Sequence, residues 1–218
     1  MKNNIFIFRI AKGNDSGSPK GNCPLDYRKV QKSIDDLTID DIQEINYDTT
    51  NYLEFLHNEL WNHNTLRQGW GIKDLDLKQD VSSWVQNYML NGKIFWNTEI
   101  QCHTAKGRWN VISRMLKMKK DDYIIIPKTS NNIHTLNDYN SFVVCQISQS
   151  YYFDYVKNIK DFGHCIKVKN LQIFNYDKNT LLRYDFSAPY LWAITKVENH
   201  HSRYLKFKNF IELNYLKK

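Results

Sequence analysis

The sequence predicts an α+β protein, or a small β-barrel decorated by helices. The first observation is "NIFIFRIA" at residues 4–11, a nearly continuous apolar run whose β-branched and aromatic side chains are typical of a buried strand. The second is that three more strand-like segments lie in the second half of the chain: "DDYIIIPK", "NSFVVCQIS" and "GHCIKVKNLQIF". The third is that the helical patterns lie between these two groups of strands, which is the order of an α+β fold.

An amphipathic helix is predicted from "QDVSSWVQNYML" at residues 79–90. Its apolar side chains recur at helical spacing and share one face: Val81, Trp84, Val85, Tyr88 and Met89. A further helix is predicted from "TTNYLEFLHNELW" at residues 49–61. The periodic position of Trp84 assigns that side chain to the core.

A second amphipathic helix is predicted from "AKGRWNVISRMLKMK" at residues 105–119. One face of this helix is apolar: Ala105, Trp109, Ile112, Met115 and Leu116. Because successive residues turn by about 100°, three basic side chains gather on the other side: Lys106, Arg114 and Lys117. The helix therefore combines a core-facing side with a positively charged one.

The length of 218 residues fits a single domain. We expect one domain over residues 1–218, with an acidic helical insertion at about residues 23–60 and a C-terminal helical extension at about residues 203–218. With 8 glycines and 4 prolines, the composition is not that of a disordered chain.

The sequence also predicts a cytoplasmic location. It has no run of about 18 apolar residues, so no membrane partner is expected. The first ten residues are interpreted as a strand and not as a signal peptide. The four cysteines are scattered without C-x-x-C spacing, which fits free thiols.

The charge is distributed unevenly along the chain, whose formal net charge is +7. Residues 26–61 carry nine acidic and three basic side chains, whereas residues 101–130 carry seven basic and two acidic ones. A basic face of this kind indicates a polyanionic partner, with nucleic acid first, or an ordinary solvated surface.

Catalytic and metal-binding patterns are weak. Adjacent pairs such as His200 and His201 place their side chains on opposite faces of a strand, and no H-x-x-x-H or C-x-x-C spacing occurs, so no metal site is predicted. A nuclease would need a set of carboxylates on one rigid face. The chain offers only a loose set of Asp80, Glu99, Gln101 and Lys106.

The stretch "TLRQGWGIKDLDL" contains the tryptophan that fits no helical or strand period, Trp70, between Gly69 and Gly71. Glycines on both sides allow a ligand or a backbone to approach closely, which would suit an exposed ring in a pocket for a flat group. The aromatic cluster "SQSYYFDY" at residues 148–155 could supply a second wall. The alternative is a tight turn in which Trp70 fills the end of the barrel.

Taken in order, five segments resemble the PUA-like superfamily, in its EVE and YTH branches. They are most similar to the EVE-like N-terminal specificity domains of McrB-type, modification-dependent restriction systems. The segments are "IFIFRIA", "LRQGWGIKDL", "RMLKMKKDDYIIIPK", "FVVCQISQSYYFDY" and "FGHCIKVKNLQIF". One departure is Asp121, which stands where the family has the glycine of a Gly-Asp turn.

The resemblance implies a bent β-barrel surrounded by helices, with a pocket that holds an extruded base between aromatic walls. It places Trp70 at the first wall, and at the second it places Tyr151, Tyr152 and Phe153 without deciding which one faces inward. It assigns the reading of the base edge to Asn14 and Asp15. It also places Lys128, Thr129 and Ser130 beside the rim of the pocket. The uneven charge predicts contacts to the nucleic-acid backbone from Lys106, Arg114, Lys117 and Lys128, and Arg67, Thr129 and Ser130 are expected to join them.

The expected function is that of a non-catalytic reader of a modified base, in DNA more than in RNA, within a restriction or defence system. No cofactor is expected, and a nuclease or motor protein would be the partner that cuts or translocates the nucleic acid. Two alternatives stay open: a YTH- or PUA-like protein that reads a modified base in RNA, and a small metal-dependent nuclease.

Overall fold

The fold is a mixed six-stranded sheet that curls into a half-barrel. The computed structural model describes residues 3–10, 51–96, 99–129, 131, 137–156, 161–176, 181, 183–186 and 193–217. The strands occur in the order β2-β5-β4-β3-β1-β6 across the sheet. Their bounds are β1 Ile5–Phe8, β2 Thr65–Gln68, β3 Tyr123–Thr129, β4 Asn137–Phe153, β5 His164–Asn175 and β6 Ile194–Lys196. The predicted α+β class is confirmed.

The curl of the sheet originates in its long antiparallel strands. β4 pairs with β5 through three register shifts, and β3 pairs with β4 through one shift between Pro127 and Thr129. Each irregularity of this type bends its strand and increases the local twist. β1 is parallel to β3 and antiparallel to β6, so the first strand lies inside the sheet and not at its edge.

Four α-helices occur in the described part of the chain: α1 Asn51–Trp61, α2 Val81–Trp96, α3 Cys102–Ile112 and α4 Tyr204–Phe210. A 3₁₀ turn over Ser113–Lys117 follows α3, and a π-helical turn over Ile211–Tyr215 follows α4. No helix among the described residues is long and apolar enough to cross a membrane.

The sheet separates two hydrophobic cores, because successive side chains of a strand point to opposite faces. Phe6 and Phe8 of β1 belong to the core that contains Trp84 and the apolar side chains of α1, α2 and α3. Ile5 and Ile7 belong to the other core, which α4 completes. β1 is therefore covered on both faces, which explains its uninterrupted apolar sequence.

The C-terminal helix is part of this second core. Phe207 and Phe210 are buried, and the Phe210 ring lies 5.3 Å from that of Phe142 in β4. Of the expected acidic insertion, residues 23–50 lie outside the described residues, and residues 51–60 fall within α1.

The predicted apolar face is correct within α3, which ends at Ile112. Beyond the helix, the prediction that Leu116 is buried is wrong. Ala105, Ile112 and Met115 are fully buried, but Leu116 is exposed. The α-helix changes to a 3₁₀ turn at Ser113, where three residues complete a turn instead of 3.6. Met115 therefore stays in line with Ile112, whereas Leu116 rotates toward solvent.

Candidate functional site

The loop after β2 holds Trp70 in an unusual backbone conformation. Its φ of 65° lies in the left-handed region, which a bulky side chain rarely adopts. His164 stabilises this conformation, since its Nε2–H donates to the Trp70 carbonyl oxygen at 3.1 Å. The backbone around Trp70 is therefore fixed by β5.

Gly71 is required by a close approach within the protein. Its carbonyl oxygen accepts the N–H of Gly163 at 2.9 Å, and a Cβ at position 71 would lie 2.5 Å from the Gly163 nitrogen. The expectation that both glycines serve an approaching ligand is therefore wrong for Gly71. The chain segment that approaches Gly71 is the start of β5.

The Trp70 side chain is buried, which corrects the expectation of an exposed ring. Only 6% of the residue is exposed, and the ring belongs to the helix-side core. The Arg108 guanidinium of α3 lies 4.5 Å from its centroid, at the distance of a cation–π contact. This geometry matches the alternative of a tight turn, except that the indole Nε1 has no hydrogen-bond partner among the described residues.

Asp161 is a buried carboxyl beside this loop that the sequence interpretation did not identify. Its Oδ1 accepts the N–H of Gly71 at 2.9 Å, while its Oδ2 has no partner among the described residues. Burial raises the pKa of Asp161 to about 7, although backbone N–H groups of Phe162, Gly71 and Trp70 oppose the shift. The site therefore contains an acceptor with one oxygen held and one unused.

Buried polar atoms without a partner concentrate at this loop. Five such side-chain atoms occur in the described part of the chain, and three of them are Gln68 Oε1, Trp70 Nε1 and Asp161 Oδ2. Leaving a buried donor or acceptor unpaired costs about 1–3 kcal/mol, so proteins usually satisfy such groups. Of these three atoms, Gln68 Oε1 belongs to the last residue of β2, Trp70 Nε1 belongs to the loop, and Asp161 Oδ2 belongs to the carboxyl that is bonded to Gly71.

Tyr151 supports the loop from behind. Its hydroxyl accepts the N–H of Leu77 at 3.0 Å and lies 3.0 Å from Asp76 Oδ1 and 3.1 Å from His164 Nδ1. Burial raises the pKa of Tyr151 and lowers the pKa of His164 to about 4. The single proton of the Tyr151 hydroxyl is donated to Asp76 Oδ1, so a neutral His164 positions Trp70 through its Nε2–H while its Nδ1 lies beside the Tyr151 oxygen.

The three aromatic residues expected at the second wall fall on both sides of β4. Phe153 lies with Tyr151 near the loop, and its ring centroid is 5.5 Å from that of His164. Tyr152 is half-buried on the other side, where its hydroxyl is hydrogen-bonded to Thr65 and interacts with the charge of Arg67. Strand alternation thus separates Tyr152 from Trp70.

Arg67 is an internal ion-pair residue, so we remove it from the expected nucleic-acid contacts. It is 4% exposed, and its Nε donates to Glu59 Oε2 at 2.5 Å. Its Nη2 donates to Asp154 Oδ2 at 2.6 Å, and its Nη1 donates to the Asp154 carbonyl oxygen at 2.9 Å. These bonds join α1, β2 and the end of β4 and occupy the guanidinium.

The other expected backbone contacts differ in accessibility. Lys106 and Lys117 are exposed, whereas Arg114 is half-buried and donates to the Ile194 carbonyl oxygen. Lys128 is half-buried with a φ of 55° at the irregularity in β3. Thr129 is fully buried and bonds to the Pro127 carbonyl oxygen, so it does not form a rim. The remaining expected site residues lie outside the described residues: Asn14, Asp15 and Ser130.

Asp80, which a nuclease site would use, caps a helix. Its Oδ1 accepts the N–H of Ser83 at 3.0 Å, and its Oδ2 accepts the Ser83 hydroxyl at 2.6 Å. A carboxylate at this position satisfies the free N–H groups of the first turn of α2. Within the described ranges, no group of three or more His, Cys, Asp or Glu could hold a metal ion.

Comparisons with known proteins assign no family to the chain. No protein-family model, curated protein or solved structure matches it. The interpretation of the site therefore depends on the geometry around Trp70 and Asp161.

Proposed function

We propose that this protein is a non-catalytic reader of modified nucleic acid, with DNA favoured over RNA, and that it holds a flipped base against Trp70. The observation that carries the proposal is the set of buried, unpartnered polar atoms at the loop: Gln68 Oε1, Trp70 Nε1 and Asp161 Oδ2. A nucleobase combines a flat face with hydrogen-bonding edges, so it suits an indole ring beside unused donors and acceptors.

Binding of a base requires a local rearrangement. The Arg108 guanidinium lies 4.5 Å from the Trp70 centroid, which leaves no space for another ring between them. The base therefore displaces the guanidinium, which then becomes free to contact a phosphate. Extruding a base costs a few kcal/mol and stacking it returns about 1–3 kcal/mol, so phosphate contacts must supply the remainder.

The basic side chains of α3 and the turn that follows it are the proposed phosphate contacts. Lys106 and Lys117 are exposed, and Arg108 lies on the same helix with its guanidinium on the indole ring. The phosphate surface would thus adjoin the base site. Recognition belongs to this chain in the proposal, and a nuclease or motor partner would act on the nucleic acid.

The half-barrel is proposed to be a PUA-like fold of the EVE or YTH type. The support is the order of the segments: β1 first, then the Trp70 loop, the basic helix, β3, the long β4 and β5. The curled mixed sheet is compatible with such a barrel.

A binding panel tests the function. Fluorescence anisotropy would measure the affinity of the wild type for duplex DNA and single-stranded RNA, each unmodified or carrying one modified base, with Mg²⁺ present to detect cleavage. The proposal predicts that one modified DNA binds more tightly than its unmodified partner and is not cut. A preference for modified RNA would move the assignment to RNA, and equal affinity for all oligonucleotides would refute a reader.

Trp109→Leu is the matched control for Trp70→Leu in this panel. Trp109 is a half-buried tryptophan of α3 whose ring packs against Trp84 at 5.4 Å. Both substitutions remove an indole that packs in the same core, and the half-buried Trp109 should cost less stability than Trp70. Only Trp70→Leu should abolish the preference for the modified base.

A further inference from the structure

We propose that Asp161 determines which base the site accepts, by receiving a hydrogen bond from the exocyclic amino group of an amino-bearing base in preference to a carbonyl-bearing one. This inference rests on the proposed function, because it names the base class for the same Trp70 site. Asp161 would contact the ligand through Oδ2, which is buried and has no partner among the described residues.

The Asp161 carboxyl is oriented by the backbone N–H of Gly71, and the backbone N–H groups of Phe162 and Trp70 also interact with it. Gly71 donates its backbone N–H to Oδ1 at 2.9 Å, which leaves Oδ2 as the unused atom. Oδ2 lies 3.4 Å from the position that a Cβ on Gly69 would occupy, so it adjoins the glycine in front of Trp70. A single acceptor of known orientation is therefore built into the loop.

The polarity of the unpartnered atoms favours a base edge with an amino group. Gln68 Oε1 and Asp161 Oδ2 are acceptors, while Trp70 Nε1–H is a donor. Cytosine and adenine present an amino donor, whereas thymine presents a carbonyl acceptor at the corresponding position. If a carbonyl oxygen lay against the ionised carboxylate, neither group would have a hydrogen-bond donor. Unpaired buried groups of this kind disfavour binding of the carbonyl-bearing base strongly.

The ionisable groups that face Asp161 do not neutralise it. Tyr88 of α2 interacts with the carboxyl and is hydrogen-bonded to Arg108 of α3, and His164 of β5 is neutral at physiological pH. Burial raises the pKa of Asp161 to about 7. A protonated Oδ2 would donate instead of accept, so the affinity for an amino-bearing base should fall as the pH decreases through about 7.

Asp161→Asn should reverse the preference. The Gly71 N–H needs an acceptor, so the amide oxygen of Asn would take the place of Oδ1 and its NH₂ group the place of Oδ2. The variant would then present a donor of nearly the same size. It should favour the carbonyl-bearing base, whereas a merely structural role for Asp161 would change both affinities equally.

The test uses 5-methylcytosine and thymine, which share the ring and the C5 methyl group and differ at the amino or carbonyl position. Each is placed once in the same duplex opposite an abasic site, so that extrusion breaks no base pair, and a third duplex carries an abasic site at that position. We expect the wild type to bind 5-methylcytosine about tenfold more tightly than thymine, because a hydrogen bond to a charged group is stronger than one between neutral groups. In Asp161→Asn the ratio should fall below one.

The outcomes separate this inference from the proposed function. If the wild type distinguishes both bases from the abasic duplex but Asp161→Asn weakens both equally, Asp161 does not select the base and the reader function stands. If the wild type binds all three duplexes equally, both proposals fail. Should Asp161→Asn not fold, a wild-type pH series decides: a 5-methylcytosine-to-thymine ratio that stays constant from pH 8.5 to 5.5 would overturn the inference.

Discussion

Trp70 occupies a backbone position at which glycine would be less strained. A left-handed φ costs a non-glycine residue about 1–2 kcal/mol, and the loop sustains it through His164 and the contact between Gly71 and Gly163. The indole Nε1 is also buried without a partner in the described structure. Trp70 therefore carries two costs, a strained backbone and an unpaired indole N–H, and both are consistent with a ring that binds a ligand.

Arg108→Ala should increase the preference for a duplex that carries the extruded base over the same duplex with an abasic site. The guanidinium covers the Trp70 ring, so its removal eliminates a competitor for the stacking position. A cation–π contact contributes about 0.5–2 kcal/mol, which corresponds to a severalfold increase in the ratio of the two affinities. The ratio is measured by anisotropy at high salt, which weakens the phosphate contact that the displaced guanidinium would make in the base-carrying duplex.

Lys106→Ala is the control for this variant, since it removes a charge from the same helix at an exposed position. It should leave the ratio at the wild-type value. A decrease of the ratio in Arg108→Ala would instead make the guanidinium a wall of the site, with the base bound elsewhere on the ring.

At the scale of the elements, α3 and its 3₁₀ turn are the proposed phosphate surface. Lys106→Ala and Lys117→Ala should each weaken binding of every oligonucleotide and reduce the slope of log K against log salt by about 0.9, the value for one phosphate contact. Lys217→Ala, an exposed lysine of the C-terminal segment, is the control and should change neither quantity. Unchanged slopes in all three variants would make this face an ordinary solvated one.

The cap of α2 gives a prediction that also separates the nuclease alternative. Asp80→Ala removes both hydrogen bonds to Ser83 and should lower the free energy of unfolding by about 1 kcal/mol, as measured by urea denaturation. Oligonucleotide binding should be unaffected, because the cap is exposed and stabilises only the helix. Mg²⁺-dependent cleavage that disappears in this variant would restore Asp80 as a metal ligand.

Elements with a continuous or strictly periodic apolar pattern could be predicted from the sequence. β1, β3 and β5 were located correctly because burial on one or both faces determines their side chains. Leu116 was misplaced because the change from α to 3₁₀ helix leaves no mark in hydrophobic spacing. Ile112 and Met115, on either side of that change, are both fully buried.

The site could be predicted only in part, because its residues come from separate regions of the molecule. Trp70 was identified by its glycines, yet Gly71 serves the contact with Gly163. Asp161 and Arg108 had no local signal, since their roles depend on where β5 and α3 meet the loop. Arg67 was misassigned because sequence does not reveal the burial of its partners Glu59 and Asp154.

The dependence of whole-molecule stability on pH should reveal two opposed buried groups. The pKa of Asp161 is raised from 3.8 to about 7, so its contribution to stability is lost as the pH rises through this range. The pKa of His164 is lowered from 6.5 to about 4, so its contribution is lost as the pH falls through a similar range. In the wild type the two effects should largely cancel between pH 4.5 and 6.5.

Asp161→Asn should remove this cancellation. Its free energy of unfolding should increase with pH, relative to the wild type, by about 1.4 kcal/mol per pH unit between pH 4.5 and 6.5. Urea denaturation at three pH values measures the difference. Parallel profiles for the two proteins would mean that the Asp161 carboxyl titrates normally in the folded state.

The central claim, that Trp70 stacks on a base extruded from nucleic acid, is tested most directly by one affinity ratio. The modified base of the best-binding duplex from the panel is placed opposite an abasic site, so that extrusion breaks no base pair. This duplex is compared with the same duplex carrying an abasic site in place of the modified base, for the wild type, Trp70→Leu and Trp109→Leu. The phosphates are identical in the two duplexes, so the ratio reports the base alone. Stacking contributes about 1–3 kcal/mol, so the wild-type ratio should be about 5- to 150-fold.

This ratio should persist in Trp109→Leu and decrease to near one in Trp70→Leu. A wild-type ratio near one, or a ratio that survives in a folded Trp70→Leu protein, would contradict the account. Trp70 would then be a core residue that closes the end of the half-barrel.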